Sequence, residues 1–360
     1  MNMKVWRNVM LAMVILTASV IVLSCSVYNY MISPVSKDQT LKEVVIEKGS
    51  IESIGNTLKE NNLIRNTWFF KLYVKLNGVS NLKASTYELS ENMGVKKITK
   101  ILMEGNTYNK EEISITFREG INMRKVVKLI SDNTNNKEED IYALLKDKTY
   151  LDELISKYWF LSDDIKNAKI YYSLEGYLFP DTYAFKNKDV SVKDIFDKML
   201  LNMDSKLTPY KEEITKSKYS IHELITLASI VELEGASSDD RNGVAGVFYN
   251  RLNAGWTLGS DVTSYYGAKV DMNERELYRS ELNDCNAYNT RCKTFKGLPV
   301  GPIANPGIES IEAVLNPSKH SYYYFVADKN KKTYFTKTEK EHNQIITKLK
   351  KENLWYEYDD

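Results

Sequence analysis

The sequence predicts an α+β fold behind a single N-terminal membrane helix, and three observations carry that prediction. Residues 9–27 are almost wholly apolar. Two short β-branched runs, Val44-Val-Ile46 and Ile113 to Phe117, are each followed by a glycine and then by apolar residues at helical spacing. From about Tyr171 the texture changes to loops rich in Gly, Pro, Asn and Tyr between short elements, the pattern of a domain whose loops build a site. The expected organisation is a short tip and anchor over residues 1–36, a small β-α-α-β module over 37–110, a second small α/β module or linker over 111–170, and a larger α+β domain over 171–360.

The anchor comes first. After Lys4 and Arg7 the chain carries no charge from Asn8 to Ser36, and a bilayer needs about 20 apolar residues. The two cations precede the span, which places the tip in the cytoplasm and the bulk of the chain outside as a single-pass protein. A cleaved signal peptide is the main alternative, but no small-x-small cleavage site stands out. Val22-Leu-Ser-Cys25 loosely follows a lipoprotein signal with Cys25 as the acylated residue, and Leu23 fits it poorly.

Ser33 to Thr40 reads as a tether. Beyond it Val44 to Ile46 forms a strand, Ile51, Ile54 and Leu58 mark a first helix, Trp68, Leu72 and Leu76 mark a second, and Lys83 to Leu89 returns as a strand. This order resembles a LysM module, a small fold that binds amino-sugar glycans. Ile113 to Phe117, Gly120 and then Met123, Val126 and Val127 repeat the strand-glycine-helix pattern, and the polar run Ser131 to Asp140 reads as a loop between helices.

Composition narrows the function classes. The 360 residues include 49 basic and 48 acidic side chains, with 43% hydrophobic and 27% charged content, so no basic field favours nucleic acid, and no nucleic-acid-binding pattern is present. Three scattered histidines, His222, His320 and His342, and no Cys-x-x-Cys argue against a metal site. Cys285 and Cys292 lie close together in the part expected outside the membrane, where a disulfide forms if geometry allows.

The most informative stretch is Leu227-Ala-Ser-Ile-Val-Glu232-Leu-Glu234-Gly235, a strongly apolar helix that ends in two carboxylates. Ser220 and Glu223 have capping-box spacing, which starts the helix at Ile221, and Gly235 is a natural residue for its C-terminal turn. The last turn directs carbonyl oxygens at any nearby anion and, with partial burial, raises a carboxyl pKa toward the range of a general acid. Glu234 continues the line of Leu227, Ile230 and Val231, whereas Glu232 follows Ala228 and Ser229 at the other border of the apolar face. Further on, Val244, Val247, Phe248 and Leu252 define a helix ending near Gly255. Gly297 to Gly307 packs three prolines and three glycines into a stiff loop expected to be an exposed cleft wall.

Seven motifs stand in order: LEGYLFPDTY, ASIVELEG, VFYNRL, LGSDVT with YYG, AYNT, GLPVGPIANPG and YYYFVAD. Together they resemble the endolytic murein transglycosylases, the MltG or YceG-like proteins, over essentially the whole chain. The resemblance implies a membrane anchor, a LysM-like subdomain and an α+β catalytic domain that cuts the bond between N-acetylmuramic acid and N-acetylglucosamine inside peptidoglycan strands, leaving 1,6-anhydro ends and terminating or trimming nascent strands. It places the catalytic acid on Glu234, the second acid of the family's I-E-x-E motif, with Glu232 in support. Tyr288 and Asn289 match the Tyr-Asn pair that lines the sugar cleft. Glu175, Asp181, Asn250, Ser260, Asp261 and Asn305 are the other motif positions expected to support the site or bind substrate, with Asp261 and Asn289 orienting sugar or stabilising developing positive charge. Val262, Arg291 and Cys292 depart from the family pattern. No cofactor is implied; the implied partners are peptidoglycan, the cytoplasmic membrane, cell-wall synthases and elongation or division proteins. The alternative is a non-catalytic, membrane-anchored glycan-binding scaffold of the wall-synthesis machinery. Ser80-Asn-Leu-Lys83 matches Ser-x-x-Lys of serine acyl enzymes but lacks a Lys-Thr-Gly partner, so chance accounts for it.

Overall fold

A computed structural model describes residues 3–105, 111–235 and 238–355. The chain divides into two compact units, Met1–Glu111 and Glu112–Asp360. The first opens with helix α1 (Met3–Ile32), of which Met10–Ile32 is long and apolar enough to cross a membrane, with mean hydropathy 2.4. Strand β1 (Lys42–Ile46), helices α2 (Ile51–Glu60) and α3 (Thr67–Leu76), and strand β2 (Ser85–Leu89) follow. β1 and β2 pair antiparallel with Val44 opposite Tyr87. Alternation along the strands buries Val44, Ile46, Tyr87 and Leu89, and Ser50 and Asn66 cap the two helices with their side chains. Helix α4 (Val95–Glu104), which the periodicity reading missed, closes this core with Val95, Ile98 and Leu102.

Two expectations about this unit change. Trp68 and Leu76, read as inward markers of the second helix, are exposed; Phe70, Tyr73 and Val74 fill the core instead. A helix apolar around most of its circumference gives periodicity little contrast with which to choose a face. The expected tether is also docked: Val35 and Ser36 donate backbone hydrogen bonds to the Glu91 carbonyl, and Arg65 donates to the carbonyls of Pro34 and Val35 at 2.7 and 3.2 Å.

In the second unit β3 (Ile113–Thr116) pairs antiparallel with β4 (Thr182–Phe185). Helices α5 (Met123–Asn133), α6 (Glu138–Leu144) and α7 (Lys148–Lys157) lie between them in sequence, and α8 (Val192–Leu207) and α9 (Lys211–Lys216) follow. The segment 111–170, expected as a second small module or a linker, is instead part of this unit from Glu112 onward. Its strand completes a sheet with residues 182–185, and Ile115, Val126, Ile141 and Leu151 share one core with Tyr177, Phe196, Ile225 and Phe248. The expected boundary at 110 lies outside the described residues. The remaining elements are α10 (Ile221–Glu234), α11 (Ser238–Asn253), α12 (Asp261–Gly267), α13 (Arg279–Asn283) and α14 (Ile308–Leu315), then the hairpin β5 (Tyr324–Ala327) and β6 (Thr333–Thr336), then α15 (Glu339–Lys351). Helices α10, α11 and α14 pack together and carry the site.

Candidate active site

Helix α10 starts as its capping box requires: Glu223 N–H donates to Ser220 Oγ at 3.2 Å and Ser220 N–H to Glu223 Oε2 at 2.8 Å. It is buried on every side, with His222 and all residues from Leu224 to Val231 inside. The expected division into apolar and polar faces is therefore absent, because neighbouring elements surround the helix. Two of its buried polar groups are tied down: His222 meets Tyr177 Oη at 2.8 Å and the Val300 carbonyl at 2.9 Å, and Ser229 Oγ accepts from Ile303 N–H at 3.0 Å. Gly235 ends the helix with φ −75°, so it is not a left-handed cap. Glycine is needed for space, since a Cβ would lie 2.7 Å from Arg241 Cγ and 3.0 Å from the Val231 carbonyl.

The two terminal glutamates face different partners. Glu232 is a clamp: Oε2 accepts from Gly307 N–H at 3.0 Å and Ser310 Oγ at 2.7 Å, and Oε1 meets Arg241 Nη2 at 3.2 Å. It thereby receives the N-cap N–H of α14, at the end where the helix dipole favours a negative charge. Glu234 has one hydrogen-bond donor among the described residues, Ser260 Oγ at 2.6 Å on Oε1. Removal from water pushes its carboxyl up to about 7; the Ser260 hydroxyl opposes this, the Asp261 charge adds to it, and the Arg251 guanidinium opposes it. A group that holds its proton near neutrality and whose second oxygen takes no hydrogen bond from the described residues is suited to give and take a proton.

Ser260 is placed by Thr290. Ser260 N–H donates to Thr290 Oγ1 at 3.1 Å, Gly259 N–H donates to the Thr290 carbonyl at 3.0 Å, and Thr263 Oγ1 lies 2.8 Å from Thr290 Oγ1. Thr290 and Thr263 stand in the AYNT and LGSDVT motifs, where the sequence does not reveal this role, since a threonine carries no chemical signature until its partners are known. The turn holding Thr290 is closed by the Cys285–Cys292 disulfide, Cα–Cα 5.4 Å, which meets the sequence expectation. Asn289 is the turn's internal brace, with Nδ2 donating to the Leu282 and Asp284 carbonyls and Oδ1 accepting from Ser264 Oγ. Cys285→Ser with Cys292→Ser is expected to lower stability by about 2 kcal/mol, because the closed loop is short. Thermal melts with and without reductant check this; equal melting temperatures would show that the bridge contributes nothing.

The other expected positions separate into neighbours and scaffold. Asp261 is beside Glu234 but is ion-paired with Arg291, one of the departures from the family pattern. Tyr288 and Asn289 are completely buried, so neither lines a sugar-accessible surface here. Tyr288 packs on Tyr171 and Tyr266 with ring centroids at 4.7 and 4.8 Å. Glu175 is buried, accepting from Met123 N–H and Tyr266 Oη at 2.9 Å each, and burial pushes its pKa up to about 7. Asp181 accepts from Asn202, and Asn250 donates to the carbonyls of His320 and Tyr322 beside a cleft of about 870 Å³ whose lining does not include Glu234. Asn305 donates to the Ile121 carbonyl and accepts from Leu178 N–H. The loop from Gly301 to Gly307, expected to be exposed, is buried; Ser229, Glu232 and Ile121 satisfy its backbone.

Known proteins place this arrangement. A profile of the YceG-like family matches residues 44–348. The chain is 38% identical over 321 residues to the endolytic murein transglycosylase of Bacillus subtilis, covering 88% of each protein. It is 30% identical over 316 residues to that of Streptococcus pneumoniae, covering 83% of this chain and 56% of the longer relative. A solved structure from Listeria monocytogenes, described as YceG-like, superposes with TM-score 0.60 at 35% identity, over 86% of this chain and all of the other. By sequence and by fold, this chain belongs to the YceG-like family.

Proposed function

We propose that the protein is a peptidoglycan lytic transglycosylase that cleaves glycan strands internally, with Glu234 as its single acid and base. The observation that carries this reading is Glu234 itself: a carboxyl held near neutrality at a helix end, oriented by Ser260, while the adjacent Asp261 is engaged by Arg291. Hydrolytic glycosidases usually work with two carboxylates. A transglycosylase needs one. Protonated Glu234 donates to the bridging oxygen between N-acetylmuramic acid and N-acetylglucosamine as the anomeric C–O bond breaks. The resulting carboxylate accepts the proton of the muramoyl 6-hydroxyl as that oxygen bonds to the anomeric carbon. No water is consumed, and the internal nucleophile benefits from high effective molarity because both reacting groups share a ring. Ser260 keeps Oε1 as an acceptor, which leaves Oε2 to carry the proton.

Within this reading α1 anchors the chain in the cytoplasmic membrane, with the catalytic unit on the outer side. The β-α-α-β module is LysM-like and holds glycan. Cell-wall synthases and elongation or division proteins are the expected protein partners.

Digestion of purified peptidoglycan tests the activity. Anhydro-muramoyl ends within fragments are expected; reducing ends alone would mean hydrolysis, and no release would favour a scaffold. Release should fall as pH rises through about 7, because deprotonated Glu234 cannot act as acid. Glu175 titrates in the same range, so the limb should persist in Glu175→Gln. Stability should decline over the same interval: both carboxyls bind protons more tightly folded than unfolded, so the contribution is complete below their ordinary value of 4.5 and lost through about 7.

A further inference from the structure

The outer face of α3 has no partner of its own inside the module. Trp68 and Leu76 are 61% and 66% exposed, and Trp68, Leu72 and Leu76 recur every fourth residue along one line. The opposite face, Phe70, Tyr73 and Val74, already fills the module core. Large apolar side chains aligned in water are a standing liability unless something apolar covers them.

Their location says what covers them. With Phe69 they line an apolar groove of about 640 Å³ whose other wall is Leu23 to Asn29 of α1, and the rings of Tyr28 and Phe69 lie 6.4 Å apart. If the span begins at Met10, about 20 residues cross the hydrocarbon and its far boundary falls near Asn29. The groove therefore runs beside the last two turns of the span, about 10 Å of depth at 1.5 Å per residue. An interfacial helix buries its apolar face by roughly 5–10 Å.

The residues just above that depth suit a headgroup layer. Arg65 lies over the Tyr30 ring at 4.4 Å while it binds the Pro34 and Val35 carbonyls, which ties the exit of α1 to the start of α3. Tyr28 and Ile32 pack against the module core, and Gly94 lets the exit approach closely, since a Cβ there would meet the Ile32 carbonyl at 3.1 Å. Aromatic and basic side chains are the usual residents of this layer.

We propose that α3 lies in the membrane interface, with Trp68, Phe69, Leu72 and Leu76 seating the small module on the phospholipid leaflet from which α1 emerges. The seat rests on the reading of α1 as a bilayer span. It fixes the module at the membrane surface by two attachments, the anchor and a helix face, and so limits how far its β-sheet can tilt.

The test uses the full chain in phosphatidylglycerol–phosphatidylethanolamine vesicles with lipids brominated high on the acyl chains. Trp6, near the other end of α1, reports the anchor, and Trp68 reports the seat. Both are exposed, so Trp6→Phe and Trp68→Phe leave the fold intact. Bromolipid quenching should persist in Trp6→Phe, persist in Trp68→Phe, and vanish in the double variant; emission assigned to Trp68 by difference should be blue-shifted. Quenching that vanishes with Trp6→Phe alone would overturn the seat and leave the anchor standing. Absence of quenching in the unaltered chain would overturn both, and equal quenching in the double variant would move the contact away from Trp68.

Discussion

Glu234→Gln should reduce release of anhydro-muramoyl products by about 10²–10⁴ or more, since general acid–base catalysis alone contributes that much and in the proposed mechanism this residue carries both proton transfers. The amide keeps the shape and the oxygen that Ser260 bonds, so the folded state should be nearly unchanged. Glu232→Gln should behave differently. Its amide would still offer one oxygen to Gly307 and Ser310 but would set an NH₂ against the Arg241 guanidinium, leaving buried groups mispaired at a cost of about 1–3 kcal/mol. Melting temperature and product release measured on both variants separate the roles: Glu234→Gln loses activity with stability retained, and Glu232→Gln loses stability with most activity retained at low temperature. The reverse pattern would move the proton to Glu232.

Gly176→Ala should be the most damaging single methyl in the second unit. Gly176 has φ +87°, and an added Cβ would lie 2.4 Å from Pro302 Cβ and 3.1 Å from Ile225 Cγ2. The proline ring cannot swing away, and Ile225 belongs to α10. Backbone strain and overpacking each contribute about 1–3 kcal/mol. For a unit of this size that corresponds to a fall in melting temperature on the order of 10 °C. Gly255→Ala is the control: it has φ +67° but open space around it, so only the strain remains and the fall should be smaller. Equal effects would show that the contact with Pro302 does not matter.

Local sequence determined the features whose causes are local. The capping box at Ser220 and Glu223, the apolar span before Ile32, the paired cysteines around one turn, and the strand-helix order of the small module all follow from residues within a few positions of each other. The family motifs likewise singled out Glu234. What the sequence could not supply was partnership. Asp261 and Glu234 are nearly interchangeable as residue types, and only the ion pair to Arg291 and the hydroxyl of Ser260 give them different surroundings. Tyr288 and Asn305 read as exposed, substrate-facing polar groups, yet each is buried because a backbone loop distant in sequence needed its hydrogen bonds. Trp68 and Leu76 read as core, yet they face outward because Phe70, Tyr73 and Val74 already fill the interior. Segment 111–170 reads as a module of its own or a linker until strand 182–185 supplies its pairing edge. In each case the deciding contact spans tens to hundreds of residues, and its free energy exists only once the chain has closed, so periodicity and spacing carry no trace of it.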